Sequence, residues 1–472
     1  MYSWLEFRFK YPLFWLYYMH QIGLTWGFMS IQFNTTSSQM APAAIPKRGF
    51  KGKSQLKLDL PSNLMNSPTG ASLEAKTYAI LHPVVIPEHE GWMHESLEGC
   101  KRPIKYFDKG SSGSFIVLTN QTALAILKPL QENFLLQGLA KPVILDGILP
   151  ETTSLREVLA YQLFSQIVPP TALVQVFSES FFEGEKTKTA SMQKFIGDGL
   201  CASKLSKEEL QKNIPFLNAT MVLDLCLYNL DRHPGNFLFR ANGEEIFGGL
   251  PIDHGCILPN NCSSGVRLFW LSLIDKWAFF GEKELEAVRK LDIDSSIQKI
   301  KGLGLSDGAV NTFLVNTLLV KLLAPRSSIY DIAMYQLQHN QEITTQHSIV
   351  HYLLRWALFK QKIAINPLDS DSMMVDPSVL EPLLIETISF VDQLKKEALS
   401  LCQIYDIPEE RIYFVDEHLD GLLPHEPIHI AHRVVRNAMF VCFLNDSIEN
   451  MESGSWRQIA LDQLPKMLGL GV

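Results

Sequence analysis

Two short polar motifs, joined by a spacer with hairpin chemistry, constrain this chain most. The first is Asp231-Arg232-His233-Pro234-Gly235-Asn236, and the second is Ile252-Asp253-His254-Gly255. Between them, Phe237 to Arg240 reads as a strand and Ala241-Asn242-Gly243-Glu244 as a hairpin turn. Ile246 to Ile252 reads as the return strand. Such a hairpin carries Asp253 back to the end occupied by Asn236. Upstream, Phe216 to Tyr228 has apolar residues at helical spacing and delivers the chain to Asp231. Either motif alone reads equally well as a polar turn; their order and spacing carry the inference.

Gathered this way, the residues suit phosphoryl transfer from ATP. One acid orients the accepting hydroxyl, while an amide and a second carboxylate hold the magnesium that bridges the phosphates. The upstream half of such a site is also legible. Gly110-Ser111-Ser112-Gly113-Ser114 is a small-residue turn running into the apolar strand Phe115-Ile116-Val117. Glycines let backbone approach phosphate, and exposed amides with serine hydroxyls can cradle it. Alone, the segment reads more simply as a hairpin turn. Ala123 to Pro129 reads as a strand ending in Lys128. A lysine closing an apolar run is usually a snorkelling edge residue, but in a kinase that position contacts the ATP phosphates. Arg156 to Leu163 has helical periodicity and offers Glu157 as a partner for Lys128, the alternative being a solvated helix glutamate.

Asp231-Arg-His-x-x-Asn236 and Asp253-His-Gly255 resemble the catalytic and metal-binding loops of the phosphatidylinositol 3- and 4-kinase superfamily. Pro251 to Pro259 looks most like the plant gamma-type phosphatidylinositol 4-kinases, and Lys109 to Phe115 most like the type II enzymes. The Lys128-Pro129 pair, Arg156-Glu-x-x-Ala-Tyr161 and Val168-Pro-Pro-Thr171 repeat further family elements. The resemblance runs from Lys109 to about Asp275, with weaker echoes to about Ala324. It implies an α+β class and a bilobal protein-kinase-like fold: a small antiparallel-sheet upper lobe over 75–196 and a mainly helical lower lobe over 197–345. A helical C-terminal extension, 346–472, would follow, and an apolar segment with a flexible basic linker, 1–74, would precede them.

The resemblance also implies roles. ATP and magnesium (Mg2+) would be the cofactors. Gly110, Ser111, Ser112, Gly113, Ser114, Lys128 and Glu157 would serve the phosphates. Gln193, Phe195 and Ile196 fall in the hinge segment, where backbone groups would take the adenine edge and Phe195 or Ile196 would pack near it. Asn236 and Asp253 would hold the metal, Lys128 would neutralise phosphate charge, and Asp231 would orient or deprotonate the acceptor. His233 is a second candidate for that proton transfer, since an unperturbed imidazole titrates near ~6.5.

The acceptor stays open between classes. Cys256 to Phe269 holds a single basic residue, Arg267. A multiply phosphorylated headgroup would need several cations; plain phosphatidylinositol needs fewer. The Ala-Pro-Glu signature that follows the metal aspartate in ordinary protein kinases is missing. Yet the gamma-type relatives include members regarded as protein kinases, so a protein serine or threonine is the second acceptor class. A pseudokinase scaffold is the third reading; intact Lys128, Asp231, Asn236 and Asp253 weigh against it.

Composition bounds the rest. A hydrophobic content of 46% over 472 residues fits a sizeable core, and a formal charge of −8 argues against nucleic acid as a partner. Seven dispersed cysteines (100, 201, 226, 256, 262, 402, 442) show no metal-type pairing and suit a reducing, cytoplasmic setting. Clustered palmitoylation cysteines of the type II lipid kinases are missing. Tyr11 to Met29 is apolar and aromatic, approaching the ~20 residues of a membrane span. Its alternatives are an interfacial anchor in peripheral membrane contact, a marginal span, or a leader before a start at Met29 or Met40. From Asn34 to Gly70 the chain reads as a linker, with Lys47, Arg48, Lys51, Lys53 and Lys57 either meeting anionic lipid or simply solvated.

Past Asp275 the pattern is helical. Glu282 to Leu291, Val310 to Leu323 and Ile349 to Ile363 read as amphipathic helices, Ala364 to Asp376 as a loop and Glu381 to Tyr405 as another helix. Trp270 and Trp277 are expected to pack inside the lower lobe. Asp416, Glu417, His418, His425, His429 and His432 read as ordinary surface and helix residues rather than a metal site.

Overall fold

The computed structural model describes residues 77–85, 101–106, 114–119, 122–129, 147–177, 187–243, 245–340, 345–361, 373–405, 413–416, 421–424, 427–444, 454–468 and 470. All belong to one compact unit, Ala75–Val472. The expected apolar segment 11–29, the basic linker, the phosphate-loop residues Gly110 to Gly113, most of the loop 364–376, and Glu417, His418 and His425 lie outside the described residues.

The chain is mixed helix and sheet. Strands β1 (Thr77–Val85), β2 (Lys101–Tyr106), β3 (Phe115–Thr119) and β4 (Thr122–Pro129) come first. Helix α1 (Thr153–Phe164) intervenes before β5 (Thr171–Phe177) and β6 (Thr187–Lys194). All neighbouring pairs are antiparallel, in the order β1-β2-β3-β4-β6-β5, and β5 pairs back to β1, so the sheet closes into a barrel. Side chains alternate across a strand. Phe115 and Val117, Ala125 and Leu127, Ala172, Val174 and Val176, and Ala190 and Met192 therefore point to one face and form the barrel's apolar interior. Three alanines among them fit the narrow bore of a six-stranded closure. Because Leu127 points in, Lys128 points out, toward α1.

A mainly helical stretch follows. It contains β7 (Gly199–Cys201), α2 (Lys207–Lys212), α3 (Asn218–Leu227) and the hairpin β8 (Phe237–Asn242) and β9 (Glu245–Pro251). Gly243 supplies the positive φ, +65°, that the hairpin turn needs. The pairing Phe237↔Pro251 brings both polar motifs to the hairpin's open end. Helices α4 (Glu282–Lys290), α5 (Ile293–Gly302), α6 (Asp307–Leu323) and α7 (Ile329–Met334) come next, each but the first opened by a side-chain cap from Asp292, Ser306 or Ser328. The short pair β10 (His339–Asn340) and β11 (Thr345–Gln346) leads into α8 (Ile349–Lys360). Helix α9 (Pro377–Ile404), hairpin β12 (Tyr413–Asp416) and β13 (Gly421–Pro424), α10 (Pro427–Leu444) and α11 (Ser455–Met467) complete the order.

The structure departs from the sequence expectations at several places. Helix α6 is not amphipathic: it is buried on nearly every side, from Gly308 to Leu323, because α3, α5, α8 and α9 all pack on it. Trp270 is fully buried, but Trp277 is 67% exposed. Asp275 accepts the Trp277 N–H at Oδ1 (2.8 Å) and the Ala278 N–H at its carbonyl, a turn that faces the ring outward. His432 is a core residue, stacked edge-on against Tyr335 and 3.4 Å from Asp331, rather than a surface one. Helix α9 begins earlier than Glu381, since Asp376 caps Ser378 N–H and Pro377 is pre-set for a first turn. The C-terminal part carries a strand hairpin as well as helices. One apolar core is continuous from Leu225 and Trp270 through Leu319 and Leu353 to Val391, Ala438 and Trp456.

Candidate functional site

The loop after α3 is built around one buried carboxylate. Asp224 is fully buried in the otherwise apolar stretch Met221 to Leu227 of α3. It accepts from Asn229 Nδ2 (2.9 Å), Arg232 Nε (3.0 Å) and Trp270 Nε1 (3.0 Å). A buried carboxylate is tolerated only when it is so paired. Tyr228 closes the helix in the left-handed region, φ 48°, turning the chain toward the site. Arg232, also fully buried, then gathers three segments. Its Nη1 donates to Ile252 O (2.7 Å) and to Asn236 O, and its backbone bridges the stretch after the second motif through Arg232 N→Arg267 O and Phe269 N→Arg232 O, both 3.0 Å.

Asn236 and Asp253 are set by that clamp. Asn236 Nδ2 donates to Asp231 O (2.8 Å), and Ile252 N–H donates to Asn236 O (3.0 Å), so Asp253 lies one residue beyond a bond to Asn236. Asp253 has φ +59° and Leu258 φ +46°. Non-glycine residues held there store strain and cluster at functional sites. One carboxylate and one amide oxygen suit magnesium, which takes few protein ligands and completes its shell with phosphate and water. Among the described residues no group of three His, Cys, Asp or Glu side chains is placed to hold a metal by itself.

Lys128 Nζ donates to Glu157 Oε1 at 2.6 Å and lies 3.1 Å from Asp253 Oδ1. The barrel strand, α1 and the loop bearing Asp253 thus meet at one ammonium. Glu157 is 2% exposed and is no solvated helix residue. Burial alone would lower the lysine pKa, but Asp253 and Glu157 override it and raise the ammonium above its ordinary range. Burial likewise works to raise Glu157, and Lys128 with His254 overrides it, holding the carboxyl below the usual range. His254 is fully buried beside Glu157; burial pushes its imidazole down, with Glu157 acting against. Arg156, the neighbour of Glu157, donates from Nη1 to Ile257 O (2.6 Å) and Leu258 O and from Nη2 to Asn260 Oδ1 (3.3 Å), pinning the chain after the metal loop. Its burial lowers the guanidinium to about 10.

Asp231 Oδ1 is 3.4 Å from Arg267 Nη1 and its Oδ2 is 3.9 Å from His233 Nε2. Burial raises the Asp231 pKa, His233 lowers it, Asp253 raises it and Arg267 lowers it. His233 Nδ1 accepts the Gly235 N–H (3.0 Å), which places the proton of a neutral ring on Nε2. That ring turns its Nε2 toward Asp231. A Cβ on Gly235 would lie 2.5 Å from His233 Cε1, so this turn requires glycine.

The remaining candidates lie on the barrel. Ser114 is buried at the start of β3. Gln193 is buried with Nε2 bonded to Thr171 Oγ1 (3.1 Å), which turns its side chain into the sheet. Phe195 N–H is taken by Leu124 O (3.0 Å), and Ile196 O by Gly199 N–H (3.4 Å). Phe195 and Ile196 are half-buried where β6 leaves the barrel. Sequence reasoning missed Asp224 and the clamp made by Arg232, and it placed Arg156 in a family element without its contacts to Ile257, Leu258 and Asn260. The available signal was a lone aspartate within Met221-Val-Leu-Asp-Leu-Cys-Leu227.

No family model matches the chain. It is 30% identical over 241 residues to phosphatidylinositol 4-kinase gamma 1 of Arabidopsis thaliana, covering 45% of this chain and 42% of that protein. It is 27% identical over 327 residues to phosphatidylinositol 4-kinase gamma 4 of the same plant, covering 62% and 54%. Against phosphatidylinositol 4-kinase gamma 4 of Oryza sativa subsp. japonica it is 30% identical over 252 residues, covering 48% and 42%. The chain spans about half the length of the curated relatives it matches. By these matches the chain is similar to plant proteins whose names denote lipid kinases, and that similarity supports a phosphatidylinositol 4-kinase-like relationship.

Proposed function

We propose that this chain is an ATP-dependent kinase that transfers the gamma-phosphoryl group to a hydroxyl of phosphatidylinositol, within a bilobal kinase-like arrangement of barrel and helical body. The observation that carries the proposal is the junction at Lys128. One ammonium touches both Glu157 on α1 and Asp253 on the metal loop, while Asp231 and Asn236 stand at the open end of the same hairpin. Lys128 is placed to exchange Asp253 for a phosphate oxygen while Glu157 holds it. Asp253 and Asn236 offer the oxygens for magnesium, which when bound supplies charge neutralisation between the phosphates. Asp231 orients the acceptor hydroxyl and accepts its proton, with the Arg232 clamp keeping the two loops in register. Arg267 is the single cation between Cys256 and Phe269, which suits an acceptor bearing one anionic group.

The names of the relatives support a lipid acceptor. A protein serine or threonine is the competing acceptor. The lipid reading requires the enzyme to meet a membrane surface from the cytoplasm; no helix among the described residues is long and apolar enough to cross one. The test offers radiolabelled ATP to the purified chain with phosphatidylinositol vesicles and a generic protein acceptor in parallel. Label is expected in the lipid. Label in protein alone would reassign the acceptor class, and label in neither, with ATP still bound, would leave a scaffold.

A further inference from the structure

Two buried polar atoms face each other behind the Lys128 junction. His254 Nδ1 lies 3.6 Å from Glu157 Oε2, just beyond hydrogen-bond range. Neither atom has any other hydrogen-bond partner among the described residues, and both are shut off from solvent. The other Glu157 oxygen, Oε1, is already gripped by Lys128 at 2.6 Å. The two side chains also sit on elements in direct contact. Gly255, next to His254, abuts the first turn of α1: a Cβ there would lie 3.4 Å from Thr153 Cβ. Kinases with an Asp-Phe-Gly motif place an apolar ring after the metal aspartate. Here the ring carries a nitrogen aimed at the carboxylate of α1. Burying an imidazole costs more than burying a phenyl ring unless its nitrogen is used.

We propose that His254 is a positioning residue: its Nδ1–H donates to Glu157 Oε2, fastens the metal loop to α1, and holds Glu157 where it grips Lys128. A shift of a few tenths of an ångström brings the two atoms within ~3.2 Å. Glu157 then has a donor on each oxygen, and the loop bearing Asp253 cannot move without disturbing the lysine. The chemistry at Asp231 is untouched, so the effect belongs to ATP binding rather than to the acceptor.

This inference rests on the proposed kinase site, and its test separates the two. His254→Phe keeps the ring and removes the donor; His254→Asn restores a donor near the Nδ1 position. His254→Phe is expected to raise KM for ATP about tenfold or more, the scale of one charged hydrogen bond, with KM for the acceptor unchanged. His254→Asn should recover most of that loss. A cycle with Glu157→Gln should be non-additive, the double variant being little worse than either single. The same cycle read by denaturant midpoint needs no turnover. Coupling there, in a wild-type chain that transfers no phosphate, would keep the contact and remove the kinase reading. Equal damage by Phe and Asn, or fully additive effects in the cycle, would overturn the proposal.

Discussion

Asp231 sits among groups that pull its proton affinity in opposite directions. Burial and Asp253 raise its pKa from the ordinary 3.8, whereas His233 and Arg267 lower it. A carboxylate that orients and deprotonates the acceptor works only when ionised. The turnover rate should therefore fall as pH drops through a value above 3.8. Arg267→Gln removes a lowering influence, so the acidic limb of the kcat–pH profile should move to higher pH, less so at high salt because the guanidinium is exposed. A limb that stays in place or moves down would show that another group sets it. The pair of residues that most resembles a kinase, Lys128 and Glu157, was legible because each ends or opens a recognisable apolar run. The carboxylate that organises the Asp231 loop, Asp224, was not. Its partners Arg232 and Trp270 are eight and 46 positions away, and no local pattern encodes such a meeting.

At the scale of elements, the β8–β9 hairpin is what turns two sequence motifs into one site. Its turn chemistry and alternation are local, and that is why it could be read in advance. Its tolerance is not uniform. A Cβ on Gly249 would lie 2.4 Å from Phe237 Cζ and 2.8 Å from Phe216 O, whereas on Gly248 the nearest atom is 3.7 Å away. Phe237 is fully buried and cannot retreat. Gly249→Ala should cost about 1–3 kcal/mol of stability, in the range of overpacked cores, and should depress activity by moving Asn236 against Asp253. Gly248→Ala should be near neutral. Equal midpoints for the two variants in urea unfolding would contradict this account of the hairpin. Helix α6 shows where pattern reading fails: its polar Asn311, Thr312, Asn316 and Thr317 suggest a wet face, yet all are buried. Thr312 bonds Pro259 O, Asn311 bonds Met373 O and Asn316 bonds Thr312 O, so these side chains satisfy interior carbonyls instead of solvent. Trp277 fails in the opposite sense, since its aromatic character said nothing of the Asp275 turn that faces it outward.

Across the whole molecule, the C-terminal helices are not an appendage to the helical body. Trp356, Phe390 and Trp456 stack edge-to-face inside a core that also holds Leu319, Tyr335 and Trp270. Lys395 on α9 pairs with Asp331 on α7 at 2.7 Å. A chain ending at residue 346 should lose cooperative unfolding, since each large core side chain exposed costs about 1.5–3 kcal/mol and stability is only about 5–15 kcal/mol in total. A sharp thermal transition in that shortened chain would show that the helices are dispensable. The proposed chemistry converges on the loop bearing Asp253. The direct measurement is magnesium-dependent transfer of labelled phosphate from ATP to phosphatidylinositol by the wild-type chain and by Asp253→Ala, with thermal melts of both. Transfer is expected from the wild type and none detectable from the variant, whose melting transition stays cooperative. Near-normal transfer by Asp253→Ala would contradict that chemistry.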